Sequence, residues 1–374
     1  MDPRTKRMAK VLVDYSADLK PGDRVLIEAE PVAEPLVRAV FSRALEVGAH
    51  PFPLISLSGF VSYTGLDDIF LREANDDQLA AAMPFYEFAY AHFDSRIRIH
   101  SDSNTKALSR VAPQRITQRR KATQSILESQ FQRGATREFK WVTTQFPTQS
   151  YAQDAEMSLE EYKDFLYTAC HVNDPEQDPV AYWLDVKKEQ DRIIETLVGK
   201  DHVEVRGPNV DLTLSIRERI FKNACGENNM PDGEIFTGPV EESVEGWIRF
   251  TYPAIFRGAE VDGVELHFER GKVVRATAKK NEALLHDTLE TDPGARFLGE
   301  FAIGTNFGIQ QHTRNILFDE KIGGTIHLAL GAGYPETGSK NESAIHWDMI
   351  CDMSEQAAII VDGETLYENG AFKV

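Results

Sequence analysis

Two histidines and an aspartate stand in short apolar runs, Ile326-His327-Leu328-Ala329-Leu330-Gly331 and Ala344-Ile345-His346-Trp347-Asp348-Met349-Ile350. Imidazole and carboxylate together are the donor types of a divalent cation site. The second run reads as a strand, and alternate strand residues point to one face, so a single cation can meet both His346 and Asp348. After His327 the glycine-hinged turn Gly331-Ala332-Gly333-Tyr334-Pro335 can bring the chain back, placing that ring at the same point with Tyr334 held nearby. Any one of these histidines alone reads more simply as a core or surface side chain. The cluster is what points to a metal.

Three more carboxylates occupy unusual settings. Glu234 lies between glycine and proline turns in Met230-Pro231-Asp232-Gly233-Glu234-Ile235-Phe236-Thr237-Gly238-Pro239, and Glu300 lies in Leu298-Gly299-Glu300-Phe301-Ala302-Ile303-Gly304. An isolated charge in an apolar strand costs several kcal/mol of desolvation, roughly, unless a cation compensates it. Glu320, in Phe318-Asp319-Glu320-Lys321, reads equally well as a solvated charge beside Lys321. Glu234, Glu300, Glu320, His327, His346 and Asp348 together match two divalent ions better than one, with zinc, cobalt, manganese or magnesium suiting the oxygen-rich set. No cysteine joins the cluster, which argues against a closed structural zinc site. H-E-x-x-H, G-x-S-x-G and Walker A patterns are missing, leaving hydrolysis by a metal-activated water as the chemistry the residues favour.

The elements that must position these groups divide the chain in two. At 374 residues with 42% apolar side chains it exceeds one core and suits two domains of roughly 150 to 200 residues. Residues 1–148 alternate between helical and strand-like segments: helices over 4–18, 35–49, 76–89 and 112–132, strands over 24–28, 51–57, 96–99 and 140–144. This predicts an α/β fold with an N-terminal parallel domain. No G-x-G-x-x-G follows the first strand, so nucleotide binding has only fold analogy behind it. From 149 to 374 two helices, over 158–171 and 179–198, lead into a strand-rich part with a hairpin over 264–276 and a helix over 281–290, a mixed α+β metal-binding domain. A net charge of −18, from 41 basic and 59 acidic side chains, argues against nucleic acid and anionic membranes as partners. No stretch is long and apolar enough to span a bilayer. Three scattered cysteines, Cys170, Cys225 and Cys351, form no disulfide framework, and a cytoplasmic location is expected.

Taken together, the segments around Glu234, Leu298-Gly299-Glu300, Phe318-Asp319-Glu320, His327-Leu328-Ala329-Leu330-Gly331, Tyr334-Pro335 and His346-Trp347-Asp348 resemble the thermophilic metallo-aminopeptidase family, of aminopeptidase T and aminopeptidase S type, over the whole chain. The resemblance implies a homodimer that removes N-terminal residues from peptides with a free N-terminus, using a water activated by two divalent metals. It implies metal ligation by Glu234, Glu300, Glu320, His327, His346 and Asp348, with Tyr334 in the active site. Within that mechanism Glu300 is the carboxylate nearest the water, and Tyr334 is a hydrogen-bond donor to the tetrahedral oxyanion. Two rival readings use fewer residues. A single-iron ring-cleaving dioxygenase of the same fold family needs only His327, His346 and Asp348, and a non-enzymatic protein could merely hold cations in the acidic pocket.

Overall fold

The computed structural model describes residues 2–256 and 258–373. It divides into two compact units. The first comprises Met1–Trp183 with Gly226–Pro231, and the second Leu184–Cys225 with Asp232–Val374. The division falls within the helix Pro179–Leu197.

In the first unit four strands, β1 (Arg24–Ala29), β2 (His50–Ile55), β3 (Ser95–His100) and β4 (Lys140–Gln145), form a parallel sheet in the order β2-β1-β3-β4, completed by the short strand Asn229–Met230. The expected parallel α/β layer is present. Buried apolar residues such as Val25, Ile27, Ile97, Ile99 and Val142 supply the near-continuous hydrophobic strands that such a sheet requires. Two predicted helices are each broken. Residues 76–89 split into Asp76–Ala80, opened by an Asn75/Gln78 capping box, and Pro84–His92, which Pro84 starts at its first turn. Residues 112–132 split at Thr123 into Pro113–Ala122 and Gln124–Ala135. There the buried Arg119 donates to the carbonyls of Ser62, Leu79 and Ala81, anchoring the end of the first piece. The helix Asp67–Glu73 was not anticipated. The helix Leu159–Ala169 follows from its Ser158/Glu161 capping box.

The second unit is built from antiparallel sheets. An eight-stranded sheet has the order 272–277, 265–269, 245–249, 210–215, 202–207, 358–361, 364–368, 371–372. A five-stranded sheet contains β5 (Lys222–Ala224), β6 (Glu234–Thr237), β7 (Leu298–Gly304), β8 (Thr325–Gly331) and β9 (His346–Asp352), in the order β9-β8-β7-β6-β5. Both sheets feed one hydrophobic core. From the smaller sheet that core takes Ile235, Leu298, Phe301, Ile303, Ile326, Leu328, Leu330, Trp347, Met349 and Cys351, and from the larger Val203, Leu212, Ile248, Leu266 and Ile359. The predicted hairpin and the helix near 281–290 are present, the latter as Glu282–Leu289.

The register of the smaller sheet decides what its opposite face carries. Glu300 faces Ala329, which faces Asp348; Ala302 faces His327; Gly304 faces Glu234; and Gly331 faces His346. Directly opposed residues project to the same side of a sheet, so Glu234, Glu300, His327, His346 and Asp348 share one face, separated by alanines and glycines. The β7–β8 register shifts between Leu298 and Glu300, where Gly299 is the extra residue of a bulge. A Cβ at Gly299 would lie 2.2 Å from the Ala332 carbonyl oxygen and 2.5 Å from that of Gly331. Gly299→Ala should therefore destabilise the protein by about 1 to 3 kcal/mol. Urea denaturation measures this, and a wild-type midpoint would show that the bulge tolerates a side chain.

Candidate metal centre

The sheet face supplies five of the six side chains, and the sixth, Glu320, caps the short helix Ile316–Asp319. Three overlapping groups have ligand atoms within 4.8 Å of one another: Glu234, Glu300 and His327; Glu300, His346 and Asp348; and Glu320, His327 and Asp348. All six expected ligands thus converge. Glu300 is central. Its Oε1 lies 3.4 Å from His327 Nε2, and its Oε2 lies 3.3 Å from His346 Nε2. His327 Nε2 is also 3.2 Å from Glu234 Oε2, and His346 Nε2 is 3.4 Å from Asp348 Oδ1.

The orientation of His346 is fixed from behind, because Nδ1 lies 2.8 Å from the Ala332 carbonyl oxygen and donates to it, leaving Nε2 turned inward. Tyr334 follows on the same loop. Its ring packs 5.2 Å from the His346 ring and 5.5 Å from the Phe236 ring, and 41% of the residue remains exposed. It is thus an exposed neighbour of the cluster.

The alternative reading of Glu320 as a solvated charge beside Lys321 does not fit the structure, because Lys321 is fully buried. Its Nζ hydrogen-bonds Glu320 and lies 3.4 Å from Glu234 Oε1 and 3.9 Å from Asp232 Oδ1. Asp232, also unforeseen, is buried as well. The Asp319-Glu320-Lys321 run carries no periodic signal separating a solvated charge triad from a buried one. A lysine followed by Ile322-Gly323-Gly324 was the only hint.

The electrostatics describe a cluster held together by protons when no cation is present. Burial, with help from Glu320 and Glu300, pushes Glu234 up to about 8 against the pull of Lys321 and His327. Burial opposes charge on His327, but its hydrogen bond to Glu300 and the Glu234 carboxylate raise it to about 9. Burial likewise opposes charge on His346, yet Asp348 and Glu300 carry it to about 12. Asp348 is desolvated but held near 2 by the His346 charge, and Glu300, though buried, is lowered by both imidazoles. Lys321 rises well above its ordinary value because Glu234, Glu320 and Asp232 outweigh its desolvation.

The donor set fits divalent metal. Glu234 Oε2, Asp348 Oδ1 and His327 Nδ1 are buried without a hydrogen bond of acceptable geometry. Buried polar atoms of this kind need a partner. The oxygen-rich set with two imidazoles suits hard to borderline divalent cations.

With metal chelated, native His327, His346 and Glu234 hold protons that the unfolded chain releases at lower pH, so stability is present below the unfolded histidine value of about 6.5 and falls as pH rises through about 9. Thermal melts of chelated protein from pH 6 to 9 should show a falling midpoint, with a smaller fall in His327→Gln. A midpoint that is flat, or that falls equally in the variant, contradicts this assignment of the protons.

The sequence matches the family described as thermophilic metalloprotease (M29) over residues 1–372. It is 26% identical to aminopeptidase T of Thermus aquaticus, covering 97% of this chain and 95% of that one. It is 27% identical to aminopeptidase 2 of Geobacillus stearothermophilus, covering 96% and 93%. Aminopeptidase AmpS of Bacillus subtilis is 29% identical over 62% of each chain. The solved structure of wild-type AmpT from Thermus thermophilus superposes with a TM-score of 0.83 at 23% identity, covering 99% of both chains, and so shares this fold.

Proposed function

Because the chain belongs to the thermophilic metalloprotease family, M29, we propose that it is an aminopeptidase whose active centre is the carboxylate and imidazole face of the smaller sheet. The chain is a metal-dependent hydrolase, and the relatives named above are aminopeptidases. The observation that carries the reading is the convergence of buried Glu234, Glu300 and His327 with half-buried Glu320, His346 and Asp348, among which carboxylate oxygens of Glu234 and Asp348 lack hydrogen bonds.

These six residues hold two divalent ions in our reading, zinc, cobalt, manganese or magnesium, and the catalytic segment is 149–374. The four carboxylates support two ions rather than one, and so disfavour the one-iron dioxygenase reading, which leaves the three glutamates without a task. When bound, the pair lowers the pKa of a water and polarises the scissile carbonyl. Glu300, between the two imidazoles, is the carboxylate closest to the attacking water, as bridging ligand or as acceptor of its proton. Lys321 offsets charge on Glu234, Glu320 and Asp232 and holds the first two in place. Desolvation and the nearby carboxylates raise the Tyr334 phenol above its ordinary value, so it stays protonated and donates to the oxyanion at the rim. The acidic surroundings favour a protonated α-amine, which selects peptides with a free N-terminus.

A homodimer is part of this proposal. It is supported by exposed Phe85 and Phe88 on one helix and Leu127 and Phe131 on the helix packed against it. Among the described residues no helix is long and apolar enough to cross a membrane. The three buried free cysteines favour a cytoplasmic location.

Chelation should abolish hydrolysis of aminoacyl anilides, added divalent metal should restore it, and N-acetylated anilides should not be cut. Equal rates on blocked and free substrates would overturn the exopeptidase assignment, and activity that survives chelation would overturn the metal role. Tyr334→Phe should retain its metal and lose about a hundredfold or more in kcat, with kcat/KM falling in parallel. Steady-state kinetics separate this from a ground-state contact, which would raise KM alone, and a wild-type kcat would leave Tyr334 a packing residue.

A further inference from the structure

The first unit carries a separate cluster. Glu30 directly follows β1, His100 closes β3, and Asp102 lies two residues beyond it. β1 and β3 are adjacent and parallel, and the chain passes from β1 to β2 on one side and reaches β3 on the other. The carboxyl ends of these two strands are therefore the topological switch point of the sheet, where open α/β sheets take ligands. Glu30, His100 and Asp102 offer ligand atoms within 4.8 Å of one another.

The surroundings leave one oxygen of Glu30 without a task. Glu30 is 3% exposed. Its Oε2 accepts from the Ser101 backbone N–H at 2.6 Å and from the Ser101 hydroxyl at 3.2 Å, whereas its Oε1 is buried with no hydrogen-bond partner. Asp102 Oδ2 accepts from the Tyr151 hydroxyl at 2.7 Å, which fixes that carboxylate as an outer partner fixes a ligand. The His100 ring rests edge-on against Phe60, 5.6 Å away. Arg96 and Arg98, whose charges reach His100, pair with Glu28 at 3.8 and 2.7 Å. Among the described residues no lysine or arginine forms an ion pair with Glu30 or Asp102.

We propose that Glu30, His100 and Asp102 form a divalent transition-metal site at the switch point of the parallel sheet, separate from the catalytic cluster. Two carboxylates and one neutral imidazole balance one divalent ion, and the mixed oxygen and nitrogen set favours zinc, cobalt or manganese over calcium. An anionic ligand is disfavoured by the two carboxylates. Protonation agrees with this geometry. Burial, then the Asp102 charge, pushes Glu30 up to about 7, a cost that a cation removes. Burial, then Arg98 and Arg96, holds His100 near 3, so it is neutral and ready to ligate.

Wild-type crystals soaked in Zn2+ alone should show anomalous density about 2.0–2.1 Å from a His100 ring nitrogen. No density there overturns the proposal. In solution, His100→Asn combined with Asp102→Asn alters two partly exposed positions, and after equilibrium dialysis should hold one zinc fewer per chain than wild type, with kcat/KM on an aminoacyl anilide unchanged. Equal zinc content overturns the site. Zinc lost together with activity would mean that the two clusters are not independent, which also overturns it. If the double variant fails to fold, the wild-type anomalous density alone decides.

Discussion

The second unit depends on compensating negative charge where water is excluded. Glu234, Glu300 and Asp232 are buried on or beside one sheet face with His327, and Glu320 and Asp348 stand next to them. Carboxylates desolvated this closely repel one another and cannot all remain ionised without positive charge among them. Lys321 supplies one permanent charge, and in the absence of metal the protons on His327 and His346 supply more. Those protons occupy the ligand positions that a cation would take, so metal affinity and protonation oppose each other directly.

The fold meets that constraint by dividing the labour of one sheet. Its inner face consists of large apolar residues in the shared core, from Phe301 to Trp347, and makes the strands rigid. Its other face places small residues, Ala302, Gly304, Ala329 and Gly331, between the charged ones, so several long polar side chains fit without crowding. The Gly299 bulge advances Glu300 into register with Ala329 and Asp348, and the turn after Gly331 brings Ala332 behind His346 and Tyr334 to the rim. Geometry of this kind, built on strands and fixed by outer hydrogen bonds, holds catalytic groups more firmly than a loop would.

Much of this was legible in the sequence. The two-residue spacing of His346 and Asp348 gave their common face, and a charge inside an apolar run singled out Glu234 and Glu300, because both signals are local. Lys321 was invisible, since burial of a lysine depends on carboxylates brought in by other strands. The breaks at Pro84 and Thr123 were missed because helical periodicity continues across them, while a proline that starts a new helix and a buried arginine fix where the pieces divide. His100 and Asp102 are two residues apart, but Glu30 is distant from both in sequence, and its meeting with them follows only from the order of strands in the sheet. Long-range register lies beyond what periodicity records.

The most direct test of the account is the number of metal ions attributable to the sheet-face cluster. Elemental analysis of zinc-loaded wild type and of a folded Glu300→Gln/His327→Gln variant, which removes a ligand from each of the three overlapping groups, with circular dichroism confirming the fold, isolates that number as a difference. The account predicts two fewer ions per chain in the variant, and a difference of one or none would contradict the paired-metal centre on which the proposed hydrolysis rests.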